Sequence, residues 1–281
     1  MGAAAFFDVS KETGELLVQH RHAAKVRQAE MIRLLRSDVG MAFLNEGVRE
    51  AVFVRGSLAR GDFCSRSDVD LVVLTDRRKA VVSHDLRRRL EWIECSIGRQ
   101  ISADCWNEKT CEDRSYGLGF WLTAFEARVL AGDTEFFVGC RLRWLNRMAK
   151  IPVSAMFEMR SQDLRRHWNI RQRQSPLGMN VKRAEGGLID GDFVKLLKDR
   201  AGRNARISGK LQELFDKSEL VHDHLFLVKS LLHDLKAAPR ESALLECDAG
   251  QLPRVLRRDN VACLLDSQQE LIEQLKEKLQ C

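Results

Sequence analysis

The residues whose types and spacing are best suited to catalysis or ligand binding lie in the stretch VRGSLARGDFCSRSDVDLVVL, residues 54–74. A Gly-Ser pair, Gly56 and Ser57, is followed after ten residues by an Asp-x-Asp pair, Asp68 and Asp70. A glycine lets the backbone approach a ligand closely, and a serine hydroxyl beside helix-start amides donates hydrogen bonds to phosphate. Two carboxylates on one strand face could share Mg²⁺ (or Mn²⁺) with triphosphate oxygens. The spacing therefore predicts a site for a metal-held triphosphate.

Local patterns predict the elements that must position these residues. Residues 51–55 form a β-branched and aromatic run that stops at a glycine, which is typical of a strand entering a tight turn. A short helix is predicted next, and it carries Arg60 as a further nucleotide-binding residue. Residues 68–74 predict a second strand that is buried on both sides. Alternation along this strand places Asp68 and Asp70 on one face, about 7 Å apart.

A third strand is predicted over residues 100–106, with Gln100, Ser102 and Asp104 on one face. Asp104 is the candidate third carboxylate, which would assist deprotonation of an acceptor hydroxyl. The alternative is a strand-end aspartate that only faces water, and the sequence leaves both interpretations open.

Helical periodicity predicts most of the remaining elements. Apolar residues at helical spacing indicate helices over residues 11–36 and 82–94, another over residues 117–131, and a closing helix over residues 264–279. From about residue 115 onward the pattern is helical with few strand signals. The pattern therefore predicts a sheet-containing part followed by helices.

The Gly-Ser and DVD motifs resemble those of the DNA-polymerase-β-type nucleotidyltransferase superfamily. Three later segments are similar to one branch, the bifunctional uridylyltransferase/uridylyl-removing enzymes that modify the nitrogen-regulatory PII protein. They are LTAFEARVLAGDTEFF (122–137), NVKRAEGGLID (180–190) and FLVKSLLH (226–233). Two positions depart from that branch: Ile189 replaces the arginine of its GGLRD segment, and residues 178–179 are Gly-Met instead of Glu-Pro.

This resemblance implies an α+β fold, with a polymerase-β-type mixed sheet and flanking helices followed by an α-helical bundle. The nucleotidyltransferase domain with its N-terminal helix would span residues 1–114, and the helical domain residues 115–281. By the same likeness Asn180, Lys182 and the glycines at 186–187 lie near the active site, and Lys182 would bind the triphosphate. The implied reaction moves UMP from UTP to a protein tyrosine, as in uridylylation of a PII-type signalling protein.

Other functions stay open at this point. An adenylyltransferase would share the Gly-Ser and Asp-x-Asp motifs while using ATP and acting on a small molecule or a toxin or protein target. A non-catalytic regulatory module would bind a nucleotide or a partner without turnover. An RNA nucleotide-adding enzyme is disfavoured because no coherent basic stripe with interleaved aromatic residues is present.

Composition narrows the class of protein. The 281 residues suit about two domains. The net charge of +6 comes from 46 basic and 40 acidic residues mixed along the chain, so nucleic acid is not an expected partner. Eight cysteines without a C-x-x-C pair, no signal peptide and no apolar run of 18 residues predict a soluble, cytoplasmic protein with reduced thiols and no membrane partner.

Overall fold

A computed structural model describes residues 11–40, 49–65, 67–77, 82–109, 117–173, 181–182, 185–204, 209–234 and 258–280. The chain divides into two compact units. We call His22–Lys150 the sheet unit, and Met1–Arg21 with Ile151–Cys281 the helical unit. The predicted domain boundary between residues 114 and 115 lies outside the described residues and stays a prediction.

The elements of the described residues alternate between helix and strand in the first half and are helical thereafter. In chain order they are α1 (Lys11–Gly40), β1 (Glu50–Arg55), α2 (Gly56–Arg60), β2 (Val69–Thr75), α3 (His84–Ile97), β3 (Ile101–Asn107), α4 (Leu118–Glu126), β4 (Arg128–Gly132), α5 (Thr134–Ala149), α6 (Val153–Arg173), α7 (Leu188–Asn204), α8 (Gly209–Asp234) and α9 (Arg258–Gln280). The predicted α+β class is confirmed, as are the three predicted strands and the helices predicted at the start and end of the chain.

The strands that the structure describes form one mixed sheet in the order β3-β2-β1-β4. Strand β1 pairs antiparallel with both β2 and β4, and β2 pairs parallel with β3. A parallel pair needs a crossover connection, which α3 supplies between β2 and β3. One face of the sheet buries a cluster of aliphatic side chains against α1 and α3. Its members include Val52, Val54, Leu71, Val73, Met31, Leu35, Leu86 and Ile93.

The opposite face of the sheet carries aromatic side chains. Phe53 of β1 contacts Trp106 of β3 and Phe137 of α5, with ring centroids 5.6 and 5.2 Å apart. Trp106 also contacts Phe120 of α4 and Trp144 of α5. Aromatic pairs at these separations stabilise the fold beyond what their buried area contributes. Helices α4 and α5 therefore pack on this face of the sheet.

The predicted helix over residues 117–131 is wrong after residue 126. Helix α4 ends at Glu126, and β4 follows it and pairs with β1. The segment is rich in residues that favour helix, but the β1 ladder gives its backbone groups partners and buries Leu130. Gly132 adopts φ +87°, and a Cβ there would lie 2.3 Å from the carbonyl oxygen of Glu50. Tertiary pairing therefore overrides local propensity.

The helical unit contains a buried ion pair between α6 and α7. Arg160 donates to both carboxylate oxygens of Asp190 at 2.8 Å and to the Gln269 side chain at 2.6 Å. Asp190 also accepts the backbone N–H of Gly186 at 2.7 Å. Gly186 has φ +76°, and a Cβ there would lie 1.9 Å from the carbonyl oxygen of Leu265. Close packing against α9 therefore explains this glycine.

A second polar cluster joins α7 to α8. The imidazole Nε2 of His222 lies 3.2 Å from Asp192, and its Nδ1 lies 3.2 Å from the Lys195 ammonium. His222 and Asp192 are both buried. A Cβ on Gly191 would lie 2.2 Å from His222, so the two helices approach closely at this point.

No helix among the described residues combines the length and the apolar character that crossing a membrane requires.

Candidate active site

The Gly-Ser and Asp-x-Asp motifs meet where β1 ends and β2 begins. In the antiparallel register Arg55 is the partner of Asp70, so the last residue of β1 lies beside the second residue of β2. Helix α2 begins at Gly56 directly after β1, and Gly61 closes it with φ +87°. The Gln28 side chain of α1 donates to the Leu58 carbonyl at 2.5 Å and holds this turn on the core.

The Asp70 side chain faces the backbone of Gly56. Gly56 adopts φ +65°, and a Cβ built on it would lie 2.9 Å from Asp70 Oδ2. Real Cβ atoms do not lie that close to another atom, so a side chain here would displace the Asp70 carboxylate, and the positive φ also favours glycine. The absent side chain leaves one carboxylate oxygen of Asp70 open toward the turn.

We expect Gly56→Ala to lower nucleotide transfer at least tenfold, because the added methyl group must displace the Asp70 carboxylate. The positive φ adds a stability cost of about 1–2 kcal/mol. Gly98→Ala is the matched control, since Gly98 has φ +61° and no atom within 4 Å of a built Cβ. Urea unfolding measures the strain shared by both variants, and a transfer assay measures the loss specific to Gly56. Equal activity of the two variants would contradict the assignment.

The other carboxylate oxygen of Asp70 is held by the neighbouring strand. Ser102 of β3 donates its hydroxyl to Asp70 Oδ1 at 2.7 Å, and the two residues are register partners in the parallel pair. A hydrogen bond to a carboxylate is short and directional. Ser102 therefore orients Asp70 so that Oδ2 remains directed at the Gly56 turn.

Asp104, the candidate third carboxylate, lies two residues further along β3 and forms an ion pair. Its Oδ2 lies 2.6 Å from the guanidinium of Arg55. The Asp104 side chain is 51% exposed and that of Arg55 27% exposed. The sequence left Asp104 open as a catalytic carboxylate or as a strand-end residue that only faces water. The structure adds a third interpretation, in which Asp104 is the counter-ion of Arg55.

Asp68 lies one residue before β2 and is half-buried. The loop that leads to it is anchored by Arg99, which donates to the carbonyl oxygens of Cys64 and Ser67 at 3.0 and 3.3 Å. The Arg99 guanidinium also lies over the Phe63 ring, 4.8 Å from its centroid. These contacts fix the backbone on which Asp68 stands. Its role as a metal ligand stays a prediction.

The donor set fits a hard divalent cation. Within the described ranges, no group of three or more His, Cys, Asp or Glu side chains could hold a metal ion. Magnesium needs no such cage in a nucleotide site, since one or two carboxylates and the substrate phosphates suffice. Asp68 and Asp70 supply oxygen donors only, and the space that a Gly56 Cβ would fill lies beside Asp70.

Two predicted nucleotide-binding residues have other surroundings. Arg60 lies 3.0 Å from Glu126 and 3.4 Å from Asp62, and its side chain is only 14% exposed. These contacts tie α2 to the end of α4. Lys182 belongs to the helical unit, is exposed, and accepts the Ile189 N–H on its carbonyl at 3.2 Å. Phosphate binding by Arg60 and by Lys182 stays a prediction.

Cys105, next to Asp104 on β3, is expected to be a slow thiol. Burial, followed by the negative charges of Glu50 and Asp104, raises its pKa from 9.0 to about 11. At pH 8 about one thiol in a thousand is therefore ionised, and the thiolate is the nucleophile. We expect alkylation by iodoacetamide to rise about tenfold per pH unit between about pH 8 and pH 10. Peptide mass spectrometry measures it, with the exposed Cys95 as reference; equal labelling of both at pH 8 would contradict the prediction.

Comparison with known proteins places this geometry in context. Residues 40–114 match the family model described as nucleotidyltransferase domain, a stretch that contains all the site residues of β1, α2, β2 and β3. The match supports the nucleotidyltransferase superfamily. It covers less than half of the chain and supports a transferase without selecting the uridylyltransferase branch. No curated protein matches the chain.

One solved structure that resembles part of the chain is a crystal structure of a toxin-antitoxin with AMP-PNP. It is 12% identical, and the alignment covers 51% of this chain and 94% of that one with a TM-score of 0.27. These values are too low to transfer any property of that protein.

Two residues that contact the predicted site carry no role in the sequence pattern, Arg55 and the hydroxyl of Ser102. The pattern identifies Arg55 only as the end of a strand, although an arginine between a buried valine and the glycine of the turn is an unusual position for a charge. It places Ser102 on the correct face without a role. Both contacts join different strands, so no local spacing reveals them.

Proposed function

We propose that this chain transfers a nucleoside monophosphate from an NTP to an acceptor hydroxyl and releases pyrophosphate. The observation that carries the proposal is the arrangement of Asp70. One of its oxygens is fixed by Ser102, and the other faces the side-chain-free turn at Gly56. Such an arrangement presents a fixed carboxylate where a phosphate chain could approach the backbone.

The roles of the other residues follow from their positions. Ser57, half-buried in the turn, would donate its hydroxyl to the phosphates. Asp68 and Asp70 would hold Mg²⁺ (or Mn²⁺), which when bound neutralises charge on the triphosphate and the leaving group. Asp104 would accept the proton of the acceptor hydroxyl.

The transfer is one displacement at phosphorus. The acceptor O–H gives its proton to Asp104, and its oxygen forms a bond to the α-phosphorus. The bond from that phosphorus to the bridging oxygen of the β-phosphate breaks, and its electron pair leaves with pyrophosphate. The protonated Asp104, which is half exposed, then returns the proton to water.

The donor and acceptor are proposed from the motif resemblance. UTP is the proposed donor, and a tyrosine of a PII-type signalling protein is the proposed acceptor, which would place the reaction in nitrogen regulation. Nothing in the described site geometry selects the base. The experiment must therefore offer every nucleotide.

The test incubates the chain and Mg²⁺ with each of the four α-labelled NTPs, with and without a PII-type protein. The expected result is label on the protein acceptor, with UTP as the preferred donor and release of pyrophosphate. Label from ATP on a small molecule or another protein would replace the uridylyltransferase proposal by the adenylyltransferase alternative. Tyr116 is the only tyrosine in the chain, so any self-modification on tyrosine maps to one peptide. Absence of transfer from all four nucleotides, together with absence of tight NTP binding, would overturn the proposal that the chain is an enzyme.

A further inference from the structure

In the ion pair between Arg55 and Asp104, the positive charge of Arg55 lies beside the carboxylate that the proposed reaction needs as its proton acceptor. The guanidinium lies 2.6 Å from Asp104 Oδ2. At that distance the guanidinium occupies Asp104 Oδ2, so an acceptor hydroxyl would compete with Arg55 for this oxygen. The proposed chemistry therefore requires that Arg55 be drawn away.

We propose that Arg55 exchanges partners. Without nucleotide its guanidinium binds Asp104, and with nucleotide it binds the triphosphate, which frees Asp104 to accept the acceptor proton. The base becomes available only when the donor is bound, so the acceptor hydroxyl is not activated without an NTP. This inference rests on the proposed function. It adds Arg55 as a residue that binds the triphosphate, and it requires the nucleotide to bind before the acceptor hydroxyl is deprotonated.

The position of Arg55 supports the exchange. It is the last residue of β1 and directly precedes Gly56, so its side chain starts at the edge of the turn that faces Asp70 Oδ2. Its backbone is fixed by the register with Asp70. A change of partner therefore needs rotation of one long side chain and no rearrangement of the sheet.

The exposure of the pair makes the exchange inexpensive. With 51% of the Asp104 side chain and 27% of the Arg55 side chain exposed, the pair is screened by water and contributes little stability. A triphosphate offers several charged oxygens, and the planar guanidinium binds phosphate oxygens in pairs. The nucleotide is therefore the stronger partner.

The other arginine beside the turn has stronger existing partners. Arg60 is 14% exposed and lies between Glu126 and Asp62, whose side chains are 8% and 3% exposed. Moving its guanidinium away would break two ion pairs with largely buried carboxylates, which is costly. Arg55 is the arginine of this turn that can move at low cost.

The first experiment measures binding without turnover. Isothermal titration with inorganic tripolyphosphate and with each of the four NTPs, in the presence of Mg²⁺, is applied to the whole chain. Arg55→Gln is expected to weaken binding about tenfold or more, as loss of a charge-assisted contact does. Arg49→Gln is the matched control, because Arg49 precedes the opposite end of β1 and pairs there with Asp76. Its affinity is expected to stay within about twofold of the parent chain.

The double-mutant cycle with Asp104→Asn separates exchange from simple charge attraction. Removing the competing carboxylate is expected to tighten triphosphate binding about threefold to tenfold when Arg55 is present, and to change it less than about twofold in the Arg55→Gln background. The same Asp104→Asn variant is expected to lose about a hundredfold or more in kcat. In this variant the affinity for triphosphate thus rises while kcat falls. A purely structural role of Asp104 would not produce this combination.

The outcomes distinguish this inference from the proposed function. Triphosphate binding that depends on Asp70 but is unchanged by Arg55→Gln overturns the exchange alone. An equal gain in affinity from Asp104→Asn in both backgrounds also overturns it, because the carboxylate then acts on the ligand directly. A chain that binds none of the four NTPs overturns both proposals.

Discussion

Asp70→Asn is expected to lower the rate of nucleotide transfer by about a thousandfold or more without unfolding the protein. The amide keeps the size of the carboxylate and still accepts the Ser102 hydroxyl that now binds Asp70 Oδ1 at 2.7 Å. What it loses is the negative charge that faces the Gly56 turn. The loss should therefore appear in kcat and in Mg²⁺ dependence, and not in the unfolding midpoint.

Asp76→Asn provides the matched control for this variant. Asp76 directly follows β2, at the end opposite Asp70, and pairs with Arg49 at 3.3 Å in an exposed ion pair. We expect its transfer rate to stay within about twofold of the parent chain, since exposed pairs contribute little. The measurement is steady-state transfer of labelled nucleotide together with circular dichroism. Survival of activity in Asp70→Asn would show that the site is misassigned.

Arg160→Met is expected to lower the free energy of unfolding by about 3–5 kcal/mol, because it leaves the Asp190 carboxylate buried without its counter-ion. Both side chains of the pair are at most 5% exposed, and the geometry is bidentate. Methionine keeps much of the apolar volume of arginine, so the loss reports on charge more than on a cavity. Urea unfolding followed by tryptophan fluorescence and circular dichroism measures it.

A second arginine on the same helix tests this explanation. Arg165 pairs with Glu158 at 2.8 Å, but these side chains are 70% and 58% exposed. Arg165→Met should therefore change the stability by less than about 1 kcal/mol. Adding Asp190→Asn to Arg160→Met should restore part of the loss, because a neutral amide costs less to bury than a carboxylate. Similar losses for Arg160→Met and Arg165→Met would rule out the burial argument.

The strands that hold the site were predictable because their signals are local. The β-branched run of β1 stops before Gly56, and the run of β2 starts after Asp68. A turn glycine and a strand pattern are each recognised within a few residues. The same holds for the short helix α2 and for β3. Strand β4 was not predictable, because its partner β1 precedes it by more than seventy residues and its own composition favours helix.

The sequence by itself determined which functional groups the candidate site contains: a glycine-serine turn, two carboxylates at strand spacing and an acidic residue on the third strand. Only the tertiary structure decided the partners. It joined Asp70 to Ser102 and Gly56, paired Asp104 with Arg55, and tied Arg60 to α4. The physical reason is that residue type and spacing act along the chain, whereas a hydrogen bond or ion pair between strands depends on register, which is set by the burial of a whole sheet face.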